Sequence, residues 1–220
     1  MFMRMRKKRN LIPRMEACSD IWIRDPESWK GRWKELFPEA EEIRLEVGCG
    51  KGKFTAETAA AEPGILLIAM ERVPEAMVMA MEKVKAAGLH NVFFIGEDVA
   101  RITEFFAPGE IDLLYINFCD PWPHKKHAPR RLTHAGFLKL YQQIMKPGSQ
   151  IHFKTDNAGL FEFSLEQFRS CGFALCNITH DLHREGPVGI MTGYEEKFYQ
   201  IGTPICRLEA VCPEAQEVTQ

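Results

Sequence analysis

The feature that most constrains the fold is a regular alternation of short apolar runs with longer helical patterns. Apolar side chains recur at helical spacing over residues 74–88, 133–146 and 158–171. The runs between them are rich in β-branched and aromatic residues and occupy residues 43–47, 65–70, 92–95, 111–118 and 150–155. Such unbroken runs are typical of parallel strands that are covered on both faces. We therefore predict a doubly wound α/β fold.

The chain divides by charge and pattern into a leading segment, residues 1–39, and a main domain, residues 40–220. Six of the 28 Lys and Arg residues stand in the first 14 positions, which contain no acidic residue. This basic arm predicts a polyanionic partner that meets one face of the protein, although a solubilising tail is an equal alternative for the arm alone. Four residues that follow it share a helical face and predict a leading helix: Trp29, Trp33, Leu36 and Phe37.

Cysteine, histidine and hydropathy patterns argue against several classes of protein. The seven cysteines are scattered without a C-x-x-C pair, which indicates a reducing, cytoplasmic location and neither a disulfide framework nor a zinc ribbon. No apolar run approaches the roughly 20 residues of a membrane-spanning helix. The pairs His124/His127 and His180/His183 have helical spacing, but no cysteine or carboxylate set completes them, so we expect no metal site.

A glycine-rich loop follows the first predicted strand in the stretch "EVGCGKGKF". Gly48, Gly50 and Gly52 allow a tight turn that brings backbone close to a ligand at a helix N-terminus. The spacing is G-x-G-x-G, unlike the dinucleotide fingerprint, and Glu46 would oppose a pyrophosphate. The loop instead suits a ligand with a positively charged amino acid group and a ribose, namely S-adenosylmethionine.

Acidic residues also end the next two predicted strands. Glu71 stands where nucleotide-binding sheets place an acid that accepts from ribose hydroxyls, and Asp98 could accept from an adenine amino group. Each acid alone is usually a solvated strand end. Three acids after successive strands, beside a glycine loop, indicate a class I S-adenosylmethionine-dependent methyltransferase.

The fourth predicted strand runs into "DPWPHKKHAPRRL", residues 120–132. The proline turn would expose the Asp120 carboxylate beside the methyl donor, and Trp122 could stack on a base or simply be buried. The basic strip that follows, residues 124–131, is a second candidate contact for a polyanion, with a solvated helix start as the alternative. Asp120 is accordingly the candidate catalytic residue.

Four segments together resemble the bacterial tRNA (guanine-N7)-methyltransferase family: "EVGCGKGKF", "NFCDPWPHKKHAPRRLT", "IHFKTDNAGLFEFSL" and "MTGYEEKF". The resemblance extends from Arg4 to about Arg207. It implies a Rossmann-like, mostly parallel sheet with an antiparallel last strand. It also implies methyl transfer from S-adenosylmethionine to N7 of the guanosine at position 46 in the variable loop of tRNA.

The resemblance also assigns residues to roles. A group of acids and glycines would line the methyl donor: Glu46, Gly48, Gly50, Gly52, Glu71, Asp98 and Asp120. The substrate would be held by His124 and Asp156 and, in a loop before the last strand, by Thr192, Gly193, Tyr194 and Glu195. The RNA would meet the strip of Lys126, His127, Ala128, Pro129, Arg130 and Arg131. His124 and Pro129 depart from the family pattern, in which basic residues are usual.

Two alternatives stay open at this point. The acid-Pro-aromatic element would equally suit methylation of an exocyclic amine in another RNA, and a non-catalytic tRNA-binding subunit would share the basic elements. The intact glycine loop with Glu46 and Glu71 favours an enzyme over the latter. The sequence leaves the choice between monomer and homodimer undetermined.

Overall fold

A computed structural model describes residues 9–214 as one eight-stranded sheet flanked by helices. The spatial order of the strands is β1-β4-β3-β2-β5-β6-β8-β7, in which β1 to β6 pair in parallel and β8 runs antiparallel between β6 and β7. The strands are β1 Trp22–Ile23, β2 Glu42–Val47, β3 Ile65–Met70, β4 Val92–Ile95, β5 Ile111–Asn117, β6 Met145–Thr155, β7 Ala174–Thr179 and β8 Cys206–Val211. The predicted mostly parallel fold with an antiparallel last strand is confirmed.

Helices cover both faces of the sheet and begin and end at residues with clear local causes. α3 opens with a proline at its first position, and Asn157 caps α6 by accepting a hydrogen bond from the Leu160 N–H over 2.7 Å. The helices are α1 Leu11–Glu16, α2 Lys53–Ala61, α3 Pro74–Ala86, α4 Ile102–Phe105, α5 Ala135–Ile144, α6 Ala158–Ser170 and α7 Gly193–Gln200. Short 3₁₀ turns occupy Pro26–Trp29, Trp33–Leu36, Val99–Arg101 and Lys125–Arg130. The three helices predicted from periodicity are present as α3, α5 and α6.

The buried strands explain why the apolar runs were so continuous. Every residue of β3 and of β4 is buried, because helices pack on both sides of these strands. The carboxyl ends of β2, β3, β4, β5 and β6 lie at the same edge of the sheet, since these strands are parallel. The loops that leave this edge therefore lie close together.

The prediction of one helix over Trp29 to Phe37 is wrong. Two 3₁₀ turns are separated at Gly31, which has a φ of 78°. Trp33 is fully buried, and its indole Nε1 donates to the Phe105 carbonyl oxygen over 2.9 Å. This distant partner fixes the path of the segment more strongly than the local periodicity does. Before it, β1 adds an edge strand to β4.

The sheet also extends beyond the predicted runs at its carboxyl side. α5 ends at Ile144, and β6 begins at Met145 and continues through Pro147 and Gly148 rather than starting at residue 150. β7 was not predicted, because it is an edge strand with no fully buried residue. Within residues 9–214 no helix is long and apolar enough to span a bilayer. The basic residues Arg4 to Lys8 lie outside the described residues.

Candidate active site

The glycine-rich loop lies between β2 and α2 at the carboxyl edge of the sheet. Gly48, Gly50 and Gly52 have φ values of 81°, 57° and 67°. Gly52 is also closely packed, because a Cβ placed there would lie 2.5 Å from the Cβ of Ala80 in α3. A Cβ at Gly48 or Gly50 would meet nothing within 4 Å. The loop therefore packs on α3 through Gly52 and leaves its other two glycines facing open space.

Replacing Gly52 by alanine should destabilise the fold. The left-handed backbone and the overlap with Ala80 together should cost about 2 to 4 kcal/mol of unfolding free energy. Gly88→Ala is the matched control, since Gly88 has a φ of 65° but open space around it. Urea unfolding of both variants measures the difference, and equal losses would contradict the close packing of Gly52.

Glu46 lies beneath the loop and is 2% exposed. The Thr55 hydroxyl of α2 donates to the Glu46 carboxylate over 2.6 Å. Burial raises the pKa of Glu46 to about 7, against the opposing effects of the Thr55 hydroxyl and the Lys154 ammonium. The carboxyl group can therefore change its charge near neutral pH, or on binding of a cation.

This raised pKa has a defined consequence for stability. The folded protein holds the Glu46 proton more tightly than the unfolded chain, whose ordinary value is 4.5, so the stabilisation is complete below that value. It is lost as the pH rises through the folded pKa of about 7. We expect the unfolding free energy of the wild type, relative to Glu46→Gln, to fall between about pH 5 and about pH 8. Urea unfolding across this range measures it, and a constant difference would contradict the assignment.

Glu71 ties the end of β3 to the glycine loop. Its carboxylate accepts hydrogen bonds from the Gly50 N–H over 2.9 Å and the Val73 N–H over 2.8 Å. Burial raises the pKa of Glu71, and the neighbouring charge of Asp120 acts in the same direction. The structure thus brings Glu71 and Asp120 into the same electrostatic environment.

Asp98 lies at the end of the next strand and is exposed. Its carboxylate caps a 3₁₀ turn by accepting from the Ala100 N–H over 2.9 Å, and it lies 3.5 Å from the Arg72 guanidinium. Burial raises the pKa of Asp120, and the charge of Arg72 partly offsets this rise. This arginine therefore stands among the acids at the rim, a position that sequence patterns did not single out.

Asp120 follows β5 on a strained segment at the rim of the site. Partial burial raises the pKa of its carboxyl group. Phe118 and Trp122, on either side, have φ values of 52° and 41°, a conformation that is unusual for residues other than glycine. Phe118 stacks on Phe198 of α7 with ring centroids 6.1 Å apart. Such strain persists where the surroundings impose it and is common at functional sites.

Asn117 is a site residue that sequence reasoning missed. It ends β5, is 7% exposed, and neither of its side-chain amide atoms makes a hydrogen bond with any residue in 9–214. The amide lies near enough to Glu46 to lower the pKa of that carboxyl. Apart from this interaction with Glu46, the amide has hydrogen-bonding capacity that a polar ligand could use. The available signal was a polar residue at the end of an apolar strand.

The predicted substrate segment begins a helix rather than lying in a loop. Thr192 caps α7: its hydroxyl accepts from the Glu195 N–H over 3.0 Å, and the Glu195 carboxylate accepts from the Thr192 N–H over 3.1 Å. Tyr194 is 55% exposed, whereas Glu195 is fully buried. The sequence predicted that Glu195 holds the substrate from a loop. In the structure its carboxylate is buried, so it does not present itself to a substrate directly. The strong local capping box is the physical reason.

The predicted substrate segment, residues 192–195, and its flanking residues contact the start of α2, next to the glycine-rich loop. Lys53, the first residue of α2, lies 2.8 Å from the Glu196 carboxylate and donates to the Met191 carbonyl oxygen over 3.2 Å. Gly193 also packs against the Lys53 side chain. Asp156, at the end of β6, is exposed near the same edge of the sheet. The structure thus joins the segment from Thr192 to Glu195 to the loop that carries Gly52.

The basic strip forms the 3₁₀ turn Lys125–Arg130 beside Asp120. Arg130 lies 5.0 Å from the centroid of Trp122, and His127 packs edge-on against the same ring. Arg131 donates to the carbonyl oxygens of Pro121 and Trp122 over 2.9 and 3.0 Å. Arg131 therefore holds the turn, and Trp122 already carries protein neighbours on its ring.

The remaining members of the strip differ in exposure. His124, Lys126 and Pro129 are exposed, whereas Ala128 is partly buried. The histidine pairs have other contacts: His124 packs edge-on against His127, His180 contacts Glu162, and His183 contacts Glu195. Within the described residues no group of three or more His, Cys, Asp or Glu side chains is arranged to hold a metal ion.

Solved structures similar to this chain include 16S rRNA methyltransferases. The 16S rRNA methyltransferase KamB is similar to this chain with a TM-score of 0.65 at 15% identity, covering 83% of this chain and 93% of that one. A 16S rRNA (adenine(1408)-N(1))-methyltransferase mutant from Catenulisporales acidiphilia, solved with its cosubstrate S-adenosylmethionine, gives a TM-score of 0.57 at 15% identity. It covers 88% of this chain, which in turn covers 93% of it. At this identity the likeness concerns the fold alone.

Sequence comparisons identify the family. The model of a family described as "Putative methyltransferase" matches residues 40–208. The tRNA (guanine-N(7)-)-methyltransferase of Bacillus velezensis is 45% identical over 94% of this chain and 96% of its own length. The enzymes of the same name from Bacillus subtilis and Geobacillus kaustophilus are 44% and 42% identical, over 94% and 96% of this chain and 98% of each relative. The resemblance carried by the four sequence segments is confirmed, and the chain belongs to the S-adenosylmethionine-dependent tRNA (guanine-N7)-methyltransferase family.

Proposed function

We propose that this protein transfers a methyl group from S-adenosylmethionine to N7 of the guanosine at position 46 in the variable loop of tRNA, in the cytoplasm. The observation that carries the proposal is the cluster of acids at the carboxyl edge of the sheet, Glu46, Glu71 and Asp120, with a basic strip that follows Asp120. Family membership supplies the substrate class.

The residues present fit a cationic cofactor. Burial raises the pKa values of Glu46, Glu71 and Asp120, and charge repulsion adds to this at Glu46, from Glu71, and at Glu71, from Asp120; a ligand with positive charge would relieve this electrostatic cost. The buried amide of Asn117, which interacts with Glu46, offers further polar contacts. When bound, S-adenosylmethionine supplies an electrophilic methyl group on a sulfonium. Its proposed ligands are Glu46, Gly48, Gly50, Gly52, Glu71, Asp98 and Asp120.

The reaction requires little proton transfer from the protein. Guanine N7 is a bare lone-pair acceptor, so it needs no deprotonation before it attacks a methyl group. The protein contributes alignment of the reactants and a negative charge near the base, whose positive charge grows during the reaction. Asp120 is the proposed source of that charge, because it lies exposed at the rim between the strained residues Phe118 and Trp122.

The RNA side of the site has two proposed parts. An RNA duplex hides N7 in a deep, narrow groove, so the target nucleotide must be presented outside a regular helix. We propose that His124, Asp156, Thr192, Gly193 and Tyr194 hold that nucleotide, with Glu195 acting from the interior. Phosphates would meet the strip of Lys126, His127, Ala128, Pro129, Arg130 and Arg131.

The test is incubation with labelled S-adenosylmethionine and an unmodified tRNA transcript, followed by nucleoside analysis. We expect the label in 7-methylguanosine. A transcript with 7-deazaguanosine at position 46 lacks the reacting nitrogen and should accept no label, although its Watson–Crick edge is intact. A second control replaces that guanosine by adenosine.

The alternatives give different results in the same assay. Label in an N2-methylated or N6-methylated nucleoside would establish an exocyclic amine as the target. Retention of tRNA binding without any transfer would support a non-catalytic binding subunit. Either outcome would overturn the proposal.

A further inference from the structure

Lys154 carries a buried ammonium group between the cofactor side and the substrate side of the site. Its side chain is 11% exposed, and its Nζ donates to the Glu195 carboxylate over 2.6 Å and to the Ile190 carbonyl oxygen over 3.1 Å. The same Nζ lies 5.3 Å from the ring centroid of Phe54 in α2. Lys154 is also electrostatically coupled to Glu46.

Both carboxylate oxygens of Glu195 have hydrogen-bond partners, and one of these partners is the Lys154 ammonium. One carboxylate oxygen accepts from Lys154 and from the Thr192 N–H, and the other lies 2.9 Å from Nε2 of His183. Nδ1 of His183 accepts from the Val188 N–H over 3.1 Å, so the ring carries its proton on Nε2 and donates it to Glu195. His183 is 7% exposed, so this hydrogen bond to Glu195 is buried.

The backbone of Lys154 adds a link to the segment that bears Asp120. Lys154 lies opposite Asn117 in the pairing of β5 with β6, and its carbonyl oxygen accepts from the Phe118 N–H over 2.9 Å. One residue therefore contacts the start of α2, the end of β5 and the beginning of α7. These three elements carry the proposed cofactor ligands, the proposed catalytic acid and the proposed substrate segment.

We propose that Lys154 is a positioning residue for methyl transfer, acting through Glu195 and with support from His183 to hold Ile190 to Glu195 against the cofactor side. This inference rests on the proposed function for its kinetic test. A displacement of reacting groups by about 1 Å can cost roughly 10²-fold in rate, so a loosened α7 start should be visible in turnover.

The test compares Lys154→Met with Arg44→Met. Arg44 is a matched control, because it is also a cation with a largely buried side chain, 12% exposed, that is paired with carboxylates. It lies on β2, and its partners are Glu42 and Glu62 rather than residues of the substrate segment. We expect Lys154→Met to lower kcat/KM for tRNA by about tenfold or more, with the Kd of S-adenosylhomocysteine within about threefold of wild type. Arg44→Met should reduce thermal stability but keep kcat/KM within about twofold.

Hydrogen exchange gives a readout that does not depend on activity. We expect faster exchange at the amides of residues 192–195 in Lys154→Met and unchanged exchange in β5, whereas Arg44→Met should leave both regions as in the wild type. If the wild type forms no 7-methylguanosine, the proposed function fails, and exchange still decides whether Lys154 holds the segment. Unchanged exchange at 192–195, or equal kinetic losses in the two variants, would overturn the inference.

A double variant covers the case in which Lys154→Met does not fold. Lys154→Met with Glu195→Gln removes both charges and leaves no unpaired buried ion, which is often tolerated by a fold. We expect the double variant to fold and to remain at least about tenfold below wild type in kcat/KM. Recovery of wild-type kcat/KM together with stability would show that the pair serves the fold alone.

Discussion

Asp120→Ala should lower turnover by about 10²-fold or more while the protein stays folded, which is the effect of losing one electrostatic partner of a transition state. The Asp120 carboxyl is at the rim, and its raised pKa shows that the charged form is disfavoured in the protein alone. Its removal should therefore not reduce thermal stability. Single-turnover assays with saturating S-adenosylmethionine and tRNA measure the chemical step apart from binding.

Two further variants test whether the charge of Asp120 is responsible for this effect. Asp120→Asn keeps the shape of the side chain and removes its charge, so it should lose nearly as much turnover as alanine. Asp112→Ala removes a carboxylate from the other end of β5, where it accepts from the Ile43 N–H and pairs with Lys146. That control should lower stability and spare turnover. Wild-type turnover in both Asp120 variants would remove this residue from the mechanism.

Glu71→Ala should weaken binding of S-adenosylhomocysteine by about 10 to 100-fold, the range for loss of hydrogen bonds to a charged group. The carboxylate has two tasks: it holds the loop through the Gly50 and Val73 N–H groups, and it is the proposed acceptor for ribose hydroxyls. Alanine removes both. Isothermal titration calorimetry measures the Kd directly, without turnover.

Glu71→Gln separates the two tasks. The amide oxygen can still accept a backbone N–H, so the loop should stay in place and the Kd should rise by only about tenfold. Thermal unfolding of the ligand-free variants reports on the loop itself. Equal affinity in wild type and Glu71→Ala would place the ribose elsewhere and contradict the proposed cofactor set.

Local patterns in the sequence were sufficient for the central fold and for the outline of the site. The continuous apolar runs of β3 and β4 predicted buried parallel strands, since nothing but burial on both faces explains them. Glycines at Gly48, Gly50 and Gly52 predicted a tight loop, because positive φ is a local requirement. In parallel sheets the carboxyl ends of successive strands meet at one edge, so the order of the chain alone grouped the acids at the carboxyl ends of β2, β3 and β4.

Long-range partners decided the rest. The segment around Trp33 does not form the predicted helix, because the indole of Trp33 donates to the carbonyl oxygen of Phe105, which lies 72 positions away in the chain. The burial of the Asn117 amide next to Glu46 is visible only once its surroundings are known. Glu195, predicted as a substrate-holding residue in a loop, is the buried partner of Lys154, 41 positions away.

The division between the two kinds of information has a simple physical reason. Hydrophobic burial and backbone conformation leave periodic or residue-specific signals within a few positions, so the sequence alone determined the central strands of the sheet, the glycine loop and the resemblance to the family. Pairing of buried charges depends on which side chains meet in space, and their desolvation cost is repaid only there. The tertiary structure alone therefore decided which acids lie at the rim of the site, like Asp120, and which are buried in ion pairs, like Glu195.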